Sequence, residues 1–491
     1  MRDWAVWGRG FSRNPAILRR SILARRLPWD LRASGDGCRP SRSAAGDPQG
    51  RGTLVGGSGG QAGPRSGVAS QGRLAGGCHP RVARGASRVK KGFLQAGHLP
   101  TLIAAFLYFD LSFMAWVILG PMAVQIAADL GLSPAEKGLM VATPVLAGAA
   151  FRVVNGVLVD RIGARRTGLI SQVIVIAGLL AAWWLGVHSF LDTLLVGLVL
   201  GIAGAAFAVA LPLASSWYPP EHQGTALGIA GAGNSGTVFA ALFAPGLAAA
   251  FGWSNVFGLV AIPLCAALLI FMLFAKDSPN RPRPKRLPEY LAVLRSRDAW
   301  LFMFFYAVTF GGFVGLASSL TIYFNDQYGL APVIAGYFTA ACVFVGSMVR
   351  PIGGMVADRI GGVRSLTAMY AVAAVALVVV GLGLPQSWMA LCVFAFAMLA
   401  FGMGNGAVFQ LVPQRFRSEI GVMTGLVGMT GGLGGFWLAS SLGLSKQLSG
   451  GYTAGFLVFA ALAVAALLSL TSVKHRWRAT WGDAAAGAAR I

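Results

Sequence analysis

Charged side chains are scarce in this sequence: 12% of its 491 residues are Asp, Glu, Lys or Arg, against about 25% in a soluble globular domain. That shortage excludes a single soluble domain. Cysteine is scarce as well: the five residues Cys38, Cys78, Cys265, Cys342 and Cys392 are far apart, with no CxxC and no Cys/His cluster. Neither a zinc site nor a disulfide framework is indicated. The five histidines are equally scattered. A phosphate-binding GxxxxGK[ST] loop and a Ser/His/Asp cluster are also missing, so the reading is no enzyme, no metal and no cofactor. What is abundant is apolar: 56% hydrophobic residues, a mean hydropathy of +0.66 and 67 glycines. Glycine at that level suits packed membrane helices, where small residues let backbones approach closely.

The formal charge of +23 suggests nucleic acid until it is located. Residues 1–98 carry 18 Lys/Arg against 4 acids, which places +14 outside the hydrophobic body. This Arg/Gly/Ser/Pro-rich extension, as in GDPQGRGTLVGGSGG, holds no apolar run long enough for a signal peptide and too little hydrophobic surface for a core. It is expected to be disordered, and nucleic acid is not expected as a partner. An alternative reading places the true start near Val89, where Val-Lys-Lys-Gly-Phe reads as a short basic lead into the first membrane helix.

Beyond it, apolar stretches of about 20 residues, enough to cross the roughly 30 Å hydrocarbon core, recur twelve times. They are expected near 101–127, 136–159, 165–186, 191–216, 223–250, 254–275, 298–322, 332–357, 364–384, 387–413, 419–445 and 452–473. The breaks alternate in charge: one set carries Arg161, Arg165, Arg166, Arg359, Arg364 and Arg415, while the other has little beyond Lys137 and Lys446. By the positive-inside rule both termini and the linker 276–297 are cytoplasmic and the chain is a multi-pass protein of the cytoplasmic (inner) membrane. The linker divides the body into six-helix bundles at 99–275 and 298–473, followed by a cytoplasmic tail, 474–491. The expected fold is an all-α integral membrane protein of two pseudo-symmetric bundles.

An internal repeat supports that division. FRVVNGVLVDRIGARR in the second span aligns with VRPIGGMVADRIGGVR in the eighth, pairing Arg152 with Arg350, Gly156 with Gly354, Asp160 with Asp358 and Gly163 with Gly361. Parallel repeats about the membrane normal are a known transporter plan. The segment G-x-x-x-D-R-x-G-x-R resembles the signature loop of the major facilitator superfamily. The resemblance implies two bundles rocking about a central site, with Asp160, Arg161, Asp358 and Arg359 in gating contacts.

Arg152 and Arg350 lie eight residues before those aspartates, roughly 12 Å deep at 1.5 Å per residue. An arginine there costs at least about 2.5–3.5 kcal/mol to insert, so it is expected to face a cavity or a partner. Two forked, permanently charged donors at one depth suit a small oxyanion. The alternative, a structural ion pair, is open to only one of them, because a single acid, Asp110, lies well inside a span. Tyr306, Asn234, Asn405 and Phe207 fall at the same depth, although Phe207 also suits plain packing and Asn405 a helix contact.

The fifth span reads GIAGAGNSG and the eleventh GLVGMTGGLGG, placing Gly228, Gly231, Gly233 and Gly236 in one and Gly425, Gly428, Gly431 and Gly432 in the other. With the paired arginines, these helices resemble those of the nitrate/nitrite porter family over residues 90–475. One departure is Ala232, where a Trp is common. The resemblance implies that Arg152 and Arg350 grip the anion, Tyr306 hydrogen-bonds it, Asn234 is the signature asparagine and Phe207 is an aromatic wall. It implies secondary transport of nitrate or nitrite by a monomer. Asp110, at the depth of Arg152, is the candidate for proton coupling, which favours proton-coupled uptake over nitrate/nitrite exchange. A carrier of another small anion such as formate, or a non-transporting nitrate sensor, stays open at this point.

Overall fold

The computed structural model describes residues 93–279, 288, 292–416 and 419–482. Most of the basic extension, half of the 276–297 linker and the end of the tail therefore lie outside the described residues, and so does the expectation of disorder as far as Gly92. The last residues of that stretch are structured. Phe93–Ala96 is a single helical turn because Phe93 stacks on Tyr218 at 4.8 Å between centroids. His98 then caps the first membrane helix by accepting the Thr101 N–H.

Among the described residues, twelve helices are long and apolar enough to cross a membrane: α1 (Leu99–Leu130), α2 (Pro134–Ile162), α3 (Ala164–Leu185), α4 (Phe190–Ser215), α5 (Thr225–Phe251), α6 (Trp253–Phe274), α7 (Arg297–Tyr328), α8 (Pro332–Ile360), α9 (Gly362–Gly381), α10 (Ser387–Arg415), α11 (Gly421–Ser449) and α12 (Thr453–Thr480). Even the shortest has 20 residues, about 30 Å at 1.5 Å per residue. They form two six-helix bundles, α1–α6 and α7–α12.

Two spans, α7 and α12, run furthest past their expected ends, for one reason: a buried or bridged polar group extends the helix. α7 continues through Asn325, Asp326 and Gln327 because Asp326 is held by Lys137 at 3.3 Å and by the Tyr452 hydroxyl at 2.7 Å. α12 continues through Lys474–Thr480, the start of the expected tail. There Trp477 is buried and donates its indole N–H to Asp298 at 2.9 Å. Asp298 also accepts from Arg415 at 2.7 Å and from Arg476, so one carboxylate ties the start of α7 to the ends of α10 and α12.

The repeat read in the sequence returns in the backbone. Gly163 and Gly361 follow α2 and α8 with φ of +93° and +100°, a region open to glycine but strained for a side chain. Each amide closes its helix, Gly163 onto Val159 and Gly361 onto Ala357. The bundles meet mainly along three pairs, α2 with α11, α1 with α7 and α5 with α8. Glycine permits the approach: a Cβ on Gly138 of α2 would lie 2.8 Å from the Gly443 Cα of α11. In lipid such close van der Waals packing, rather than hydrophobic transfer, holds helices together.

Four spans are interrupted at mid-length. α1 breaks at Val117–Ile118, α4 at Ala205–Ala206 and α8 at Val349, while α5 passes through a 3-10 turn at Ala232–Ser235. At α8 the cause is legible: Pro351 has no N–H to continue the ladder.

Candidate functional site

The breaks in α1 and α4 border Arg152, which touches Trp116 and Gly204 just before them. Its side chain is 1% exposed and is fixed by two backbone carbonyls, Nε donating to Gly204 at 3.2 Å and Nη1 donating to Gly428 of the opposite bundle. The break in α4 supplies the first acceptor: the Ala208 amide bonds to Ala205, and the Gly204 carbonyl turns to the guanidinium. Three rings surround that group, Phe310 at 4.9 Å, Trp116 at 5.1 Å and Phe207 at 5.5 Å. The remaining nitrogen, Nη2, is buried with no hydrogen-bond partner.

Arg350 mirrors it across the bundle interface. Its Nη2 donates to the Tyr306 hydroxyl at 3.4 Å, and its Nη1 is buried and unpartnered. Phe207 lies between the two arginines, 5.8 Å from the Arg350 guanidinium carbon, and Phe409 walls Arg350 at 5.7 Å. Tyr306 is held by stacking on Phe310 at 5.1 Å and by an edge contact with Phe409 at 5.0 Å. Among the described residues no carboxylate pairs with either arginine. Two cations, Arg152 buried and Arg350 half-buried, each with one buried and unmet donor, form an electropositive centre, and leaving such donors unpaired is costly.

Arg152, Arg350, Tyr306 and Phe207 are therefore brought together. Asn234 and Asn405 are both buried with an unpartnered Oδ1, and neither bonds an arginine. Asn234 sits in the 3-10 turn, where its carbonyl accepts from Thr237 at 2.7 Å and from Ser347 of α8 at 3.4 Å. Asn405 lies between Gly404 and Gly406, and Gly406 lets α10 pack on the Arg350 backbone. Asp110 is buried in α1 and accepts from Ser235 Oγ at 2.6 Å, so it stands beside the 3-10 turn and apart from any ion pair with Arg152.

The signature glycines divide into two sets. A Cβ on Gly431 would meet Tyr306 Cδ1 at 2.7 Å and Phe310 Cδ1 at 2.8 Å, one on Gly432 the Ala149 Cβ at 2.8 Å, and one on Gly428 Phe207 at 3.4 Å. Gly233 and Gly236 pack on the Phe109–Asp110 segment. Gly228, Gly231 and Gly425 have nothing within 4 Å, and all lie toward the arginine-rich end. Asp160, Arg161, Asp358 and Arg359 are exposed at that same end.

The two ends differ in closure. At the end opposite the arginines, Lys137 bridges to Asp326, and the second half of α5 packs on the first half of α8, where a Cβ on Gly336 would lie 2.7 Å from the Ala241 carbonyl. At the arginine-rich end the second half of α8, Arg350–Ile360, packs mainly on α9 and α10 of its own bundle. The bundles are closed at one end and parted at the other.

Trp116, Phe310 and Phe409 escaped the sequence reading. Phe310 and Phe409 stand one helical turn, four residues, from Tyr306 and Asn405, and that spacing could have found them. Trp116 carried no signal that separates it from packing.

Two six-helix bundles around a buried cationic centre, parted at one end, define a multi-pass membrane carrier. The sequence profile of the Major Facilitator Superfamily matches residues 104–439. The chain is 35% identical over 378 residues to the "Probable nitrate/nitrite transporter NarK2" of Mycobacterium tuberculosis, covering 75% of this chain and 95% of that one. It is 33% identical to the "Nitrite extrusion protein" of Bacillus subtilis, covering 72% and 89%. Among solved structures, the xylose transporter XylE from E. coli superposes with a TM-score of 0.60 at 15% identity, covering 76% of this chain and 98% of that one, a likeness of fold. The chain belongs to the nitrate/nitrite porter family of the Major Facilitator Superfamily.

Proposed function

We propose that the chain carries nitrate or nitrite across the cytoplasmic membrane by alternating access, with the anion held between Arg152 and Arg350. The observation that carries this reading is the pair of unmet donors, Arg152 Nη2 and Arg350 Nη1, on two guanidiniums that share the Phe207 ring. A small oxyanion accepts from both without a proton of its own and removes the cost of leaving them unpaired. The names of the two relatives favour nitrate and nitrite over other oxyanions. Tyr306 adds a hydroxyl on the Arg350 side, and the aromatic walls keep water from competing.

The arginine-rich end faces the cytoplasm by the positive-inside rule, which makes the present conformation inward-opening. Rocking closes that end, where the open faces of Gly228, Gly231 and Gly425 leave room for the opposite bundle, and breaks the Lys137–Asp326 bridge at the other.

Coupling runs through Asp110. With its carboxylate charged, the centre of Arg152, Arg350 and Asp110 carries a net +1; with a proton bound it carries +2 and attracts the anion more strongly. Anion and proton therefore promote each other's binding, and the effect is reciprocal, which is the thermodynamic basis of symport. Uptake of labelled nitrate into proteoliposomes under an imposed pH gradient tests this. The parent should accumulate nitrate when the outside is acidic, and Asp110→Asn should transport without responding to the gradient. Equal gradient dependence in the two would remove Asp110 from coupling, and a parent insensitive to the gradient would point to exchange.

A further inference from the structure

A second cluster of cations lies away from the arginine pair, where the loop after α2 meets the end of α6. An open cavity of about 460 Å³ there is lined by Arg165, Arg166, Leu273, Ala275, Lys276 and Asp277. Three cations face one carboxylate. The frame is built rather than incidental. The Asp277 carboxylate accepts the Arg165 N–H at 3.0 Å, and Arg165 Nη2 donates to the Met272 carbonyl at 2.8 Å. The Lys276 backbone is fixed from both sides, its N–H donating to Thr101 Oγ1 at 3.0 Å and its carbonyl accepting from the Trp217 indole at 2.7 Å. The Arg166 and Lys276 side chains stay exposed. The 22-residue α3 begins here, after Gly163, which has no side chain to cap it, and the Asp277 carboxylate takes that place on the Arg165 N–H.

Next to the basic pocket the protein surface is apolar on both helices. Ile170 and Val173 of α3 are 50% and 51% exposed, and Leu269 and Leu273 of α6 are 52% and 59% exposed. A site for a free soluble anion has no use for that border. The cavity sits at the ends of two spanning helices, at the level where phosphate groups of a bilayer lie, and basic pockets at this level suit anionic headgroups.

We propose that this pocket binds the phosphodiester headgroup of an anionic phospholipid, with Arg166 and Lys276 on the phosphate and the acyl chains along the apolar faces of α3 and α6. The site is independent of the transported ion. Native mass spectrometry of the delipidated full chain, titrated with phosphatidylglycerol or phosphatidylcholine of the same acyl chains, tests it. The parent should retain phosphatidylglycerol at least about tenfold more tightly, as two cations at the membrane surface allow, and R166Q/K276Q should lose that preference. R295Q/R297Q, which removes the same charge from the same end, should keep it. On the parent itself, a photoactivatable phosphatidylglycerol should label peptides that contain 165–174 and 269–277. The proposal is overturned by equal retention of the two lipids, by equal loss in both double variants, by labelling confined to other segments, or by displacement of the lipid by millimolar inorganic phosphate, which would make the pocket a free-phosphate site.

Discussion

Replacing Arg152 with lysine keeps the charge and removes the geometry. Arginine here divides its nitrogens: Nε and Nη1 go to the Gly204 and Gly428 carbonyls, which leaves Nη2 aimed into the site. A lysine has one nitrogen on a flexible stem. It can satisfy the carbonyls or the anion, but not both with the same aim. Losing one charge-assisted hydrogen bond costs about 1.5–3 kcal/mol, which is roughly 10–150-fold in apparent affinity. Arg350→Lys should lose a similar amount through Nη1. If both arginines hold one anion, the double variant should fall short of the sum of the singles, since groups that share a partner are not additive. Labelled nitrate uptake by proteoliposomes, read as KM for the parent, each single variant and the double, measures all of this. Single variants within twofold of the parent, or fully additive losses, would refute a shared forked site.

Other outcomes follow from the same geometry. Gly431→Ala would press a methyl to within 2.7 Å of Tyr306 and should cut uptake at least about fivefold, as overpacking a tight core costs about 1–3 kcal/mol. Gly425→Ala, with open space in the present conformation, should leave anion binding by this conformation intact and slow only the closure, so nitrate binding and turnover should separate. Asp298→Ala would strand Arg415, Arg476 and the Trp477 indole. Removing one partner of a partly buried charged network costs about 3–5 kcal/mol at most, so the melting temperature in detergent should fall by several degrees while Asp298→Glu keeps part of it. The Lys137–Asp326 bridge holds the far end closed. Lys137→Gln should shift the population toward opening at that end by roughly 0.2–1 kcal/mol, seen as increased cysteine labelling at introduced sites there.

Much of this was legible from the chain because the repeat wrote it twice. Gly163 and Gly361 read as matched turns and take matched positive-φ geometry; Arg152 and Arg350 read as matched buried cations, and both lie against Phe207, but Arg350 is only half-buried. The interruptions were harder to see. The break in α4 falls in Gly-Ala-Ala, with no proline to announce it, yet it frees the carbonyl that orients Arg152. Trp116 lay hidden because an aromatic residue in an apolar helix looks the same whether it packs or walls a site. The glycines read as one class, while only the structure separates those in contact with Tyr306, Phe207 and Asp110 from those facing open space. The reach of α7 and α12 depended on tertiary partners, Lys137 and Asp298, that local sequence does not reveal.

The claim that one oxyanion site carries nitrate or nitrite is tested most directly by competition. Uptake of labelled nitrate by the reconstituted parent protein should saturate, should be abolished by excess nitrite, and should be little affected by equal formate or chloride. Uptake no greater than in empty liposomes, or formate competing as well as nitrite, would contradict it.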